Sequence, residues 1–98
     1  MRVLNPCGGQ ELTDMFAAAT LWLEKNRADI NSLNVFPVPD GDTGTNMLLT
    51  MRSAMAEAAS SPKETVSAVA NAIAHGALMG ARGSSGVILS QILRGLAL

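Results

Sequence analysis

Two short glycine-containing segments of this 98-residue sequence carry the residue types that could do chemistry. The first is Pro39-Asp40-Gly41-Asp42-Thr43-Gly44-Thr45-Asn46. Asp40 and Asp42 are two apart with glycine between them, so the backbone can turn and bring both carboxylates toward one point. Clustered oxygen donors of this kind suit a hard divalent cation, Mg2+ or Ca2+. An EF-hand also opens on Asp-x-Asp. Counted from Asp40, however, its twelfth position is Met51 rather than glutamate and its sixth is Thr45 rather than glycine, which excludes it. The same residues also make an ordinary turn whose aspartates cap the helix that follows. Spacing alone leaves both readings open.

The second segment is Gly80-Ala81-Arg82-Gly83-Ser84-Ser85-Gly86. Glycines permit close approach to the backbone, serines add hydroxyl donors, and the first amides of a following helix face an anion with the positive end of its dipole. A phosphate site fits this pattern, and so does a plain Gly/Ser connection between helices. It is not a Walker A loop, because GxxxxGK[ST] is absent, nor a dinucleotide fingerprint, because no strand precedes it. A carboxylate pair and an anion-binding helix start are the two halves of a metal–nucleotide site. Phosphoryl transfer needs that combination, since there the protein mainly positions phosphates and neutralises their charge.

The elements that must carry these segments are helical. Leu12, Met15, Phe16, Ala19 and Leu23 recur at intervals of three and four, which predicts a first helix over about residues 10–27, with Asn26 and Asn31 loosening the pattern. From Asn34 to Gly44 the prolines Pro37 and Pro39 remove amide donors and favour extended backbone, so this stretch is read as a loop. A second helix is expected over about 45–59, with Met47, Leu48, Met51 and Met55 inward. Ser61, Pro62 and Glu64 fit N-cap, N1 and N3 of a third. Its inner stripe would be Val66, Val69, Ala70, Ile73 and Ala77. Residues 80–86 would interrupt, and Val87 to Leu96 would form a fourth helix. No segment alternates with strand period. The expectation is all-α: an antiparallel helical bundle or barrel with about four helices present.

Composition narrows the classes of function. The chain is 48% hydrophobic and 15% charged, too apolar and too weakly charged for disorder. A net charge of −1 leaves no basic footprint for nucleic acid or an anionic membrane. One cysteine, Cys7, excludes an internal disulfide framework and a Cys-rich zinc site, and fits a reducing, cytoplasmic compartment. The opening MRVLNPCGG lacks the apolar stretch of a signal peptide. The longest uncharged run, Thr65 to Ala81, is too short for a membrane span. The sequence closes on ILRGLAL, inside an apolar helical run. Residues 1–98 are therefore read as the N-terminal part of a longer, truncated domain, expected to be weak or inactive in catalysis alone.

The two segments with their flanks, LNVFPVPDGDTGTNM and GALMGARGSSGVILSQILRG, cover about a third of the chain. They resemble the nucleotide-binding domain of the dihydroxyacetone-kinase L-subunit family, and more narrowly the ATP-binding subunit of bacterial fatty acid kinases. The resemblance implies that Asp40 and Asp42 hold two Mg2+ ions against the phosphates of ATP. Asn34 falls near the family's third acidic ligand and offers a carbonyl oxygen without charge. Thr43 stands where dihydroxyacetone kinases carry histidine, which argues against that substrate branch. Thr43, Thr45 and Asn46 would bind the nucleotide at the start of the second helix. Gly83, Ser84, Ser85 and Gly86 match the second phosphate-contacting loop, with Ser84 replacing an asparagine common among fatty acid kinases.

The implied reaction is phosphorylation of a fatty acid to acyl phosphate, the acyl chain being presented by a separate fatty-acid-binding carrier protein. A carboxylic acid with pKa of about 4–5 is already ionised at neutral pH, so no general base is expected among these residues. Two alternatives stand beside this reading: a dihydroxyacetone kinase-like subunit, and a metal–nucleotide-binding module that transfers nothing. A homodimer is left open. His75, the single histidine, reads as a surface residue because it has no partner in the sequence. Cys7 reads as inert, Trp22 and the methionine stripe as packing. Arg82 reads either as a phosphate-neutralising cation or as a solvated one.

Overall fold

The computed structural model describes residues 8–32, 42–61 and 65–97. Cys7, Asn34, Asp40 and two members of the expected capping box, Pro62 and Glu64, lie outside them. Among the described residues there are four helices and no strand: α1 (Gly9–Ser32), α2 (Thr43–Ala59), α3 (Val66–Met79) and α4 (Gly83–Ala97). The fold is all-α.

Contacts between particular residues give the directions of the helices. Ile30 and Asn31, near the end of α1, lie against Gly44 at the start of α2. Glu24, further back in α1, pairs with Arg52, further along α2, at 2.8 Å. The two helices therefore run antiparallel. Gly76 and Gly80, at the end of α3, meet α2 at Ser53, and Gly76 also meets Glu57, so α3 is antiparallel to α2 as well. Gly83 and Gly86, at the start of α4, meet Asn46 and Thr50 in the first half of α2. The order is up-down-up-down, with the starts of α2 and α4 at one end. The Arg52–Glu24 pair is half exposed on both sides, so its contribution is no more than about 1 kcal/mol.

The core gathers Met51, Ala54 and Ala58 of α2, Val69, Ile73, Ala74 and Ala77 of α3, and Leu93 of α4. Four of these eight are alanines, so the helices pack closely rather than through bulky side chains. Leu12, Phe16 and Leu23 bring α1 onto this core, as Leu89 does for α4. Between α1 and α4 runs an apolar cleft with two cavities of about 220 and 260 Å3, Phe16 and Leu93 lining both. No helix among the described residues is long and apolar enough to cross a membrane.

Several boundaries differ from the sequence expectation. α1 continues to Ser32 rather than stopping near 27. Asn26 does not break it, because its Nδ2 donates to the Trp22 carbonyl one turn back at 2.8 Å. α2 begins at Thr43 rather than 45. α3 begins at Val66, not Pro62. Thr65 is its N-cap, in extended backbone, and the Thr65 hydroxyl accepts from the Ala68 amide at 3.0 Å. Ser61, the expected cap, instead donates to the Glu57 carbonyl at 2.9 Å and so closes α2.

α4 begins at Gly83 rather than Val87, so Gly83 to Gly86 form its first turn instead of a loop. Gly83 takes φ +65°, a left-handed value that costs glycine nothing and strains other residues. Four residues expected to pack do not. Trp22 is 68% exposed, Met15 61% and Val66 39%, and Ala19 is exposed too, because α1 buries only a narrow strip and Val66 sits at the first turn of α3.

The crossing of α2 and α3 depends on Gly76. A Cβ there would lie 2.6 Å from that of Glu57, 2.8 Å from the Ser53 carbonyl oxygen and 2.9 Å from the Ala54 Cα. Gly76→Ala should therefore destabilise the chain by about 1–3 kcal/mol through overpacking, despite a gain in helix propensity of about 1 kcal/mol. Gly95 has nothing within 4 Å of its Cβ position. Gly95→Ala should stabilise by up to about 1 kcal/mol. Urea denaturation of the two variants side by side measures both signs.

Candidate functional site

The site is built from two helix starts. Asp42 is the N-cap of α2: its carbonyl accepts from the Asn46 amide at 2.9 Å, while its exposed side chain makes no capping hydrogen bond to the helix. The cap reading of this aspartate thus holds for its backbone and not for its carboxylate. The start of α2 is held by α1 instead. Asn31 Oδ1 accepts from the Thr45 amide at 3.1 Å, and Asn31 Nδ2 donates to Thr45 Oγ1 at 3.0 Å. One side chain so satisfies both a first-turn amide and a hydroxyl. Gly44 makes room for this, since a Cβ there would stand 2.6 Å from the Arg27 carbonyl oxygen.

The start of α4 is held by α2. Thr50, fully buried, donates its hydroxyl to the Asn46 carbonyl at 2.8 Å and accepts from the Arg82 amide at 3.1 Å. A Cβ on Gly86 would fall on the Thr50 hydroxyl, and one on Gly83 on the Asn46 side-chain amide. Ser85 Oγ donates to the Thr43 carbonyl at 3.3 Å, a direct tie between the two helix starts. Because this hydroxyl is spent on α2, it does not compete with its own helix backbone. The first intrahelical bond of α4 runs from the Gly86 amide to the Arg82 carbonyl at 3.1 Å. The amides of Gly83, Ser84 and Ser85 precede it, at the positive end of the helix dipole.

The structure therefore brings together Thr43 and Asn46 of α2 with Gly83, Ser85 and Gly86 of α4, one residue beyond Asp42. Ser84 is exposed at the same helix start, as is Arg82 just before it. Thr45 and Gly86 turn out to have packing partners: Thr45 is engaged by Asn31, and Gly86 is buried against Thr50. Asp40 and Asn34 lie outside the described residues, and no group of three or more His, Cys, Asp or Glu side chains is assembled among those that are described. His75 is away from this end. It is exposed on α3, with Nδ1 3.7 Å from Glu57 Oε2, as expected of a surface residue.

Asn31 and Thr50 escaped the sequence reading. Asn31 registered only as an interruption of an apolar pattern. Thr50 had a visible signal: Asn46, Thr50, Ser53 and Glu57 recur at helical spacing and form a polar edge beside the methionine stripe. All four meet glycines of α3 or α4.

The α1–α2 joint yields a direct test. Asn31→Ala removes two hydrogen bonds and leaves the Thr45 amide without its acceptor, which should cost about 1–3 kcal/mol. A double-mutant cycle with Thr45→Val, followed by chemical denaturation, should return a coupling of about 0.5–3 kcal/mol.

Residues 37–98 match the family model of the DAK2 domain, well over half of the chain. Protein YloV of Bacillus subtilis is 48% identical over 87 residues, which cover 89% of this chain and 16% of that protein. Uncharacterized proteins from two Staphylococcus aureus strains are 44% identical over 93 residues, covering 95% of this chain and 17% of theirs. The chain thus spans about a sixth of the length of the curated relatives it matches.

Proposed function

We propose, from the premise that this chain belongs to the DAK2 domain family, that it is the Mg2+–ATP-holding part of a kinase that phosphorylates a fatty acid to acyl phosphate. The kinase-related nucleotide-binding character comes with the family. The fatty acid, presented by a separate binding protein, is the finer part of the proposal. It rests on the likeness of the Asp40–Asn46 and Gly83–Gly86 segments to that branch and on Thr43 standing where histidine marks dihydroxyacetone kinases.

The observation that supports the reading best is the meeting of the α2 and α4 starts, tied by Ser85 to Thr43 and by Thr50 to Arg82. Two helix starts at one place offer oriented amides and two positive dipole ends to a polyphosphate. The donors fit a hard cation. Asp42, the N-cap of α2, carries a carboxylate, and the further donors assigned to the metal, Asp40 and Asn34, are also oxygen donors. In this account Asp40, Asp42 and Asn34 hold two Mg2+ ions. When bound, Mg2+ would supply the positive charge that neutralises the phosphates.

The residues of the chain do the remaining work. The amides of Gly83, Ser84 and Ser85, with Asn46 and the Thr43 hydroxyl, fix the phosphates so that the terminal phosphorus faces the acceptor. Arg82 adds positive charge. Thr45, also assigned to the nucleotide, positions the start of α2 through Asn31. An ionised carboxylate oxygen of the acceptor bonds the γ-phosphorus while the bridging oxygen leaves with ADP. No proton has to move, and none of these residues needs to act as a base.

Calorimetric titration with a non-hydrolysable ATP analogue tests the nucleotide site. Binding should require Mg2+ and fall at least about tenfold in Asp40→Ala/Asp42→Ala, in keeping with loss of charged ligands. Binding that ignores both Mg2+ and the substitutions would contradict it. Trapping of an acyl hydroxamate from ATP, fatty acid and carrier protein by a full-length relative tests the acceptor; its absence, with dihydroxyacetone phosphate formed instead, would replace it.

A further inference from the structure

We infer that Thr50 is a positioning residue: its buried hydroxyl fixes where α4 begins relative to α2, and so the spacing between the carboxylate end and the amide end of the site. The consequence for ligand binding rests on the Mg2+–nucleotide reading above; the joint itself does not.

Thr50 is completely buried, one helical turn beyond Asn46. Its hydroxyl has one donor and room for acceptance, and both are used. It donates to the Asn46 carbonyl at 2.8 Å, which fixes its rotamer, and accepts from the Arg82 amide at 3.1 Å. Arg82 is the residue from which α4 starts, because its carbonyl receives the first intrahelical bond, from Gly86. One hydroxyl therefore anchors the residue that sets the position of the Gly83, Ser84 and Ser85 amides.

Glycine 86 completes the device. It faces Thr50 at a distance that no Cβ would allow, so α4 lies closer to α2 here than side chains ordinarily permit. The Asn46 side chain meets Gly83 in the same way one turn away. The Ser85–Thr43 bond, at 3.3 Å, is longer and lies nearer the surface, so it adds to the joint without replacing the buried one. A phosphate clamped between two helix starts depends steeply on their separation. A misplacement of about 1 Å can cost about a hundredfold in a positioned reaction.

The test compares Thr50→Val, which keeps the shape and removes the hydroxyl, with Thr50→Ser, which keeps the hydroxyl. Two readouts are taken on the whole chain: amide hydrogen exchange without ligand, and calorimetric binding of a non-hydrolysable ATP analogue with Mg2+. In Thr50→Val, exchange at Arg82 and Gly86 should accelerate about tenfold or more while the Ile73 and Ala77 amides in α3 keep their protection. Nucleotide affinity should fall at least about tenfold, and Thr50→Ser should restore both readouts to within about threefold.

Wild-type exchange and affinity in a folded Thr50→Val would overturn the inference. So would a Thr50→Ser no better than Thr50→Val, because packing rather than the hydroxyl would then matter. If Thr50→Val does not fold, Gly86→Ala presses on the same hydroxyl from the other helix. It should accelerate Arg82 exchange, and unchanged exchange there would equally overturn the inference. A wild-type chain that binds no nucleotide, with Arg82 still released by Thr50→Val, would support the joint and overturn the nucleotide reading.

Discussion

The close approach of α2 to the glycines of α3 and α4 is the constraint on which the rest of this structure depends. Asn46, Thr50, Ser53 and Glu57 form one edge of α2, and opposite them stand Gly83, Gly86, Gly80 and Gly76. At these contacts the absence of a side chain on one helix lets a polar side chain on the other reach backbone. Ser53 donates to the Gly76 carbonyl at 2.9 Å, and Thr50 accepts from the Arg82 amide. Hydrogen bonds to main chain have fixed directions, so this edge sets both the distance and the rotation of the helices. Alanine-rich packing of Ala54, Ala58, Ala74 and Ala77 could not do this alone, because small apolar surfaces slide without much penalty.

Topology turns that close packing into a site. In an up-down-up-down order the first and third helices end where the second and fourth begin. The starts of α2 and α4 therefore share one end of the molecule, and the end of α1 reaches the same place through Asn31. Two positive dipole ends side by side repel one another mildly and attract an anion jointly. Asp42 stands at that end as the N-cap of α2. The starts of two helices therefore lie together, and the family to which the chain belongs is kinase-related.

Much of this was legible in the sequence, for identifiable reasons. The all-α class, the number of helices and the inward faces of α2 and α3 follow from apolar spacing at three and four, which burial of Leu48, Met51, Val69, Ile73 and Ala77 matches. Helix boundaries were less legible. Ser61 and Thr65 both have the chemistry of an N-cap, and only the tertiary arrangement decides that Ser61 closes α2 while Thr65 opens α3. Gly83 to Gly86 read as a loop because glycine and serine are poor helix formers. They join α4 because Gly83, Ser85 and Gly86 find partners on α2 that a local reading does not include. The candidate site residues on α2 and α4 stood in motifs, whereas Asn31 stood in none and Thr50 showed only as one member of a polar edge; the partners of both lie on other helices.

The proposed Mg2+–nucleotide ligand is held by two helix starts at once. The most direct test is a titration of the nitrogen-15-labelled chain with a non-hydrolysable ATP analogue, followed by amide chemical shifts with and without Mg2+. Mg2+-dependent shifts should move together at Thr43 to Asn46 and at Gly83 to Ser85, with one common affinity. Shifts confined to one of the two helix starts, or located along the apolar cleft between α1 and α4, would contradict it.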